Sequence, residues 1–148
     1  MTAITNVAQP TMGGRHSYRA HSSPIWGRSI PVTGLNEDQV KAIQKIAGFE
    51  QLPQNWDSYG SPKISAEVID CAIELVTNSF DRGLAARILP VSGGGIQFEW
   101  ENGERELEIE FRPDLNIEYL LAEDGEPVQA RKDFKSIDDL LSWLIHGR

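Results

Sequence analysis

Carboxylates carry most of the chemistry that this chain of 148 residues can offer. Glu99 and Glu101 alternate with Phe98 and Trp100. Glu106, Glu108 and Glu110 alternate with Leu107, Ile109 and Phe111, and Glu118 lies between Ile117 and Tyr119. Every second side chain of a strand points to the same face, so this spacing predicts one acidic side of a sheet. Such an array has two functional readings. Two carboxylates can perform general acid–base or metal-dependent hydrolysis when one is buried or metal-bound, with Glu99, Glu108 and Glu118 as the set. Nothing in the sequence marks burial on that side. Alternatively, the array is a negative surface for a basic protein. Carboxylates opposed across antiparallel strands repel, and Arg105, Arg112, a cation or a basic partner would offset that cost. The plainest reading is that the glutamates keep an edge-prone sheet solvated.

A second group lies in Pro53–Lys63, a run whose composition predicts a loop. Asn55 and Asp57 can fold the backbone through their own side chains, and Gly60 permits a positive φ. Trp56 and Tyr59 are large aromatics in a polar turn. They suit interface anchors, since such residues dominate binding hot spots. Trp56 also suits a plug at one end of the core, with Asp57 capping the turn.

Other reactive side chains lack partners at useful spacing. Cys71 is the single cysteine, which excludes an internal disulfide and a cysteine-based zinc site. It lies beside an apolar stripe and reads as a buried thiol. His16 and His21 have no third ligand, and His146 lies at a helix end, where the dipole favours its protonated form. A strand signal follows Gly93-Gly94-Gly95, whereas a phosphate cradle needs a helix there. The run therefore reads as a flexible lead into the sheet. There is no HExxH, Walker A or G-x-G-x-x-G pattern.

The formal net charge is -8, unevenly distributed. Residues 1–34 contain Arg15, Arg19 and Arg28 and no acid; the remainder holds 11 basic and 22 acidic side chains. Glu99–Glu126 alone contains eleven acids. An acidic body repels phosphate backbones, which argues against direct nucleic-acid binding. No run of 18 apolar residues is present, so no membrane span is expected. The N-terminus lacks the apolar stretch of a secretory signal, and a lone cysteine suits the cytoplasm.

The elements that must position these residues are readable from periodicity. Residues 1–34 lack it and are rich in Gly, Pro and Ser; they read as an extended or disordered basic arm. Residues 35–148 read as one domain. A first helix is expected over 36–49, with Asn36 as N-cap, a stripe of Val40, Ile43, Ile46 and Ala47, and Gly48 as its stop. A longer helix is expected over 66–81, capped by Ser65 and stapled by Ile64 and Ile69. Its wide apolar stripe argues for packing on a sheet. The three alternating stretches form a meander, turned by a type I′ hairpin at Asn102-Gly103 and by Pro113-Asp114. A short fourth strand is expected near Val128–Ala130. A final helix is expected over 137–146, capped by Ser136.

Asn55-Trp56-Asp57-Ser58-Tyr59-Gly60-Ser61, then Gly94-Gly95-Ile96-Gln97-Phe98-Glu99-Trp100, then Leu107-Glu108-Ile109-Glu110-Phe111 occur in that order. This order resembles a group of small, uncharacterised bacterial and phage-borne proteins with an NWDxYG loop, a GGIxxEW strand and an LEIE strand. The resemblance covers about residues 52–122. It implies a bacterial or phage source and an accessory role on a mobile element; it carries over no catalytic residues.

Together these features predict an α+β fold: a three- to four-stranded antiparallel meander with the long helix and the C-terminal helix on its apolar face. The leading functional expectation is a non-enzymatic binding module of antitoxin, immunity or anti-defence type, without a cofactor. It would engage a basic protein through Trp56, Asp57, Tyr59, Glu99, Glu101, Glu108, Glu110 and Glu118. The alternatives are the metal-dependent hydrolase or nuclease, and an assembly subunit whose arm orders on a neighbour. Exposed sheet edges also allow a homodimer.

Overall fold

The computed structural model describes residues 4–6, 16–20, 34–79, 85–128 and 136–147. In chain order the elements are β1 (Ile4–Asn6), β2 (His16–Ala20), α1 (Glu37–Gly48), a 3-10 turn (Phe49–Gln51), α2 (Ala66–Ser79), β3 (Arg87–Val91), β4 (Gly95–Asn102), β5 (Arg105–Phe111), β6 (Asn116–Glu123), β7 (Glu126–Pro127) and α3 (Ile137–His146). The protein is α+β, with an antiparallel sheet ordered β1-β2-β6-β5-β4-β3 and with β7 also paired to β6.

Alternation dictates the face that each strand buries. Ile96, Phe98 and Trp100 of β4 stand opposite Phe111, Ile109 and Leu107 of β5. These continue onto Ile117, Tyr119 and Leu121 of β6. All nine are buried, in one cluster with Val68, Ala72, Leu75 and Val76 of α2 and Leu140, Leu141, Trp143 and Leu144 of α3. Phe98 stacks on Trp100 at 5.6 Å between ring centroids and meets Phe111 edge-on at 5.9 Å. Fully burying side chains of this size stabilises by roughly 1.5–3 kcal/mol each. α2 and α3 each meet β4 and β5, and α1 lies against α2 and β3.

Local signals explain the helix starts. Asn36 and Gln39 form a reciprocal capping box at α1. Ser65 Oγ accepts from Val68 N at the start of α2, and Ser136 Oγ accepts from Asp139 N at the start of α3. The buried stripe of α1 differs from the expected one. It comprises Gln39, Ala42 and Ile46, while Ala47 is exposed. Gln39 turns inward because its amide donates to Val76 O and Thr77 O, carbonyls of the last turn of α2. Gly48 does not stop the helix in a left-handed conformation; at φ -62° it passes the chain into the 3-10 turn.

Two turns also differ from expectation. The register pairs Asn102 with Arg105, so the β4–β5 loop is Gly103-Glu104. Only Gly103 has positive φ there, which excludes type I′. Its backbone signature, two successive positive φ angles, occurs instead at Asp124 (54°) and Gly125 (76°) between β6 and β7. β7 thus begins earlier than the strand expected near Val128; residues 129–130 lie outside the described residues, as do 80–81 at the expected end of α2.

β3 has no counterpart in the alternation pattern. It pairs with β4 along Arg87–Val91, and Pro90 occupies this sheet edge without a donor to contribute. Two stretches of the arm, β1 and β2, are extended, and β2 pairs with β6 from His16 to Arg19. His21 and the arm's Ile25, Trp26 and Ile30 lie outside the described residues.

Candidate functional site

The Asn55–Ser61 loop is closed by its own polar groups. Asn55 N donates to Ser61 O at 2.7 Å, and Asn55 Oδ1 accepts from Gly60 N at 2.6 Å. Asp57 Oδ1 accepts from the amides of Tyr59 (3.0 Å) and Ser61 (3.2 Å). Asp57 Oδ2 accepts from the hydroxyls of Ser61 and Ser92, each at 2.5 Å. Ser61 Oγ in turn accepts from Gly93 N at 2.7 Å. The Ser61 and Ser92 hydroxyls, with those amides, hold the Asp57 carboxyl well below the usual carboxylate range.

The three residues singled out in this loop therefore separate. Asp57 is engaged by the loop and by the β3–β4 turn. Trp56 is half-buried, with its Nε1–H in the interior and no hydrogen-bond acceptor among the described residues. Tyr59 points out, 89% exposed, and is the one exposed large hydrophobic side chain among the described residues. Ser61 and Ser92 complete the arrangement; neither has a role that the sequence alone assigns.

The glycine run forms the β3–β4 turn and the first residue of β4. Gly94, at φ 95°, closes the β3–β4 turn with its N–H on Val91 O. A Cβ on Gly95 would lie 2.8 Å from Phe111 O and 3.1 Å from Glu110 Oε1. The close approach of β4 and β5 requires glycine there.

The carboxylate face is graded along the strands. Its register opposes Gln97 to Glu110, Glu99 to Glu108 and Glu101 to Glu106, and β6 adds Glu118 opposite Glu110. Gln97 and Glu110 are each only 8% exposed, which corrects the expectation of a solvated face throughout. Glu118 is half-buried and pairs with Arg112 at 3.1 Å. Glu99 accepts from Gln97 Nε2 at 2.8 Å and faces Arg87 at 3.4 Å. Glu108 is half-buried.

Only the far end is open. Glu101 and Glu106 are exposed, and neither joins an ion pair among the described residues. The adjoining turns add exposed Glu104, Asp124 and Glu126, and Asp124 N donates to Glu104 O at 2.8 Å to hold the two turns together. Arg105 is a cation of this rim: its Nε faces Glu123 Oε1 at 3.4 Å, while its Nη1 donates to Trp143 O and Leu144 O of α3.

Tyr59 and the open rim do not form one site. The loop adjoins the start of β4, where a Cβ on Gly94 would touch Pro62 Cγ at 3.0 Å. Glu101 lies near the other end of that strand, about 20 Å away at the usual rise per residue. Among the described residues no group of three or more His, Cys, Asp or Glu is placed to hold a metal ion. No helix among the described residues is long and apolar enough to cross a membrane.

No protein-family model, curated protein or solved structure matches the chain.

Proposed function

We propose that this chain is a non-enzymatic binding protein that engages a basic protein through the acidic rim of its sheet. The observation that carries this reading is the Glu101–Glu106 pair: two like charges directly opposed, exposed and without an ion-pair partner among the described residues. Such opposition costs stability locally, and a cationic partner would turn that cost into attraction. Glu104, Asp124 and Glu126 extend the same sign along the rim. The β4–β6 meander backed by α2 and α3 serves as the rigid platform. Tyr59 is a separate apolar anchor at the other end.

The hydrolase reading has less support. Of its proposed set, Glu99 is taken by Gln97 and Arg87, and Glu118 by Arg112. The resemblance to bacterial and phage-borne proteins adds a role as an accessory factor of a mobile element, of antitoxin, immunity or anti-defence type.

Capture of a partner by the tagged full chain at low and at high salt tests the proposal. A stoichiometric basic protein released by salt, and lost with Glu101→Gln/Glu106→Gln, is the expected result. Capture indifferent to both salt and these substitutions overturns it.

A further inference from the structure

The outer edge of β6 is held by unusual means. β5 pairs with one edge; the other is divided between β2, along Asn116–Tyr119, and β7, along Ala122–Glu123. β2 belongs to the N-terminal arm and carries β1 on its own outer side. Among the described residues the main contacts of this strand pair are with β6 and with each other, and no helix backs either strand to a comparable degree. A two-stranded pair is marginal by itself, and one held by a short ladder lies at the low end of local opening free energies.

Charge distinguishes this add-on from the rest of the sheet. Residues 1–34 contain three arginines and no acid, while the remainder holds 11 basic and 22 acidic side chains. In the ladder Ser17 stands opposite Glu118 and Arg19 opposite Asn116. By sequence the arm is thus the basic part of the chain, and its strand β2 pairs with the acidic part. We propose that the Asn116–Tyr119 edge of β6 is a docking rail for an extended basic segment of another protein. In the isolated chain the arm occupies that rail as an internal stand-in, and the partner displaces it. This rests on the basic-partner reading above and adds the mode of recognition: backbone pairing along β6, which leads directly into the acidic rim at Asp124 and Glu126.

Cis pairing gives the arm a high effective concentration, so the incoming strand must outcompete it. The rail is thus selective for segments that pair along β6. A second copy of this chain would bring only the same arm, with no gain over the tethered one.

The test uses the full chain and a synthetic twelve-residue peptide of alternating Lys and Val, with a Glu/Val peptide as control. Amide hydrogen exchange is followed with and without the peptide. The expected result is loss of protection at Ile4–Asn6 and His16–Ala20, while Asn116–Tyr119 stays protected under its new neighbour. The Glu/Val peptide should do neither. A second measurement locks the arm: Ser17→Cys with Glu118→Cys places two cysteines directly opposite, within disulfide reach across an antiparallel pair. Peptide binding should be lost on oxidation and regained on reduction. Binding that persists undiminished in the oxidised form, or with β2 still protected, overturns the rail but leaves the basic-partner reading intact. Absence of binding in every form overturns both. A dimer that forms as the arm is released makes the second copy the occupant and overturns the choice of a foreign strand.

Discussion

Ser92 Oγ donates to Asp57 Oδ2 at 2.5 Å and joins the β3–β4 turn to a loop 35 positions earlier. The same carboxylate oxygen accepts from Ser61. The Asn55–Ser61 loop, and with it the orientation of Tyr59, is thereby fastened to the sheet. A carboxylate with four donors is stabilised in its charged form, so its folded pKa lies below the ordinary value of 3.8. The unfolded chain then binds the proton first as pH falls. The contribution is complete above 3.8 and is lost as pH drops through the lower folded value. Asp57→Asn should lower Tm at pH 7, with the gap from the unmodified protein narrowing below pH 3.8. Thermal melts across that range check it; a gap that is constant with pH would remove the carboxylate from this role. Ser92→Ala should reproduce part of the loss.

Arg105 holds the end of α3. Its Nη1 donates to Trp143 O at 3.1 Å and Leu144 O at 3.0 Å, and Asn102 Nδ2 donates to Leu144 O at 3.0 Å. A cation there satisfies Leu144 O at the helix end, adds to the bond that Trp143 O already accepts from Gly147 N, and complements the dipole. Gly147 ends the helix at φ 73°, and a Cβ on it would lie 2.8 Å from Arg105 Nη2. Arg105→Ala should cost about 1.5–3 kcal/mol, the usual worth of charged hydrogen bonds. Gly147→Ala should cost about 1 kcal/mol through its left-handed backbone and the same guanidinium. Because both changes act on one helix end, the double variant should lose less than the sum. Urea titrations measure all three, and strict additivity would show that the two sites are independent.

What was legible in the sequence follows the range of the interaction that decides it. Alternation from Ile96 to Leu121 and the caps at Asn36, Ser65 and Ser136 are local signals, and the structure contains each. The α+β class follows from them. β3 was hidden because Arg-Ile-Leu-Pro-Val does not alternate, and its proline argues against a strand except at an edge. The Ser92–Asp57 bond was unreadable because neither residue marks the other across 35 positions. Gln39 lies outside the stripe that Val40, Ile43, Ile46 and Ala47 predict, and the carbonyls that draw it in belong to another helix. Glu110 was misplaced for a related reason: alternation sorts residues between two faces, and it does not say which part of the polar face other chain segments cover.

Cys71 should be inert in the folded protein. Burial first, then the neighbouring Glu74, Asp70 and Glu67, push its thiol up to about 12, so little thiolate is present at pH 8. Disulfide-exchange reagents should react slowly with the native chain and fast in guanidinium. Comparable rates in the two states would place the thiol in an open surface.

Glu101→Gln and Glu106→Gln separate function from stability. Each removes one member of an exposed, directly opposed like-charge pair. Either change should therefore stabilise the fold, by about 0.2–1 kcal/mol, with the gain shrinking as salt is added. The same changes should weaken capture of a basic partner. Tyr59→Ala provides the contrast at the other end of the strand: at 89% exposure its loss should leave stability within about 0.5 kcal/mol. A residue retained at a cost to stability has its reason outside the folded chain, and that is the pattern expected of a binding rim. Urea titrations beside salt-dependent capture decide it. If Glu106→Gln destabilises, the pair is held by interactions within the fold, and its claim to be a waiting binding surface fails.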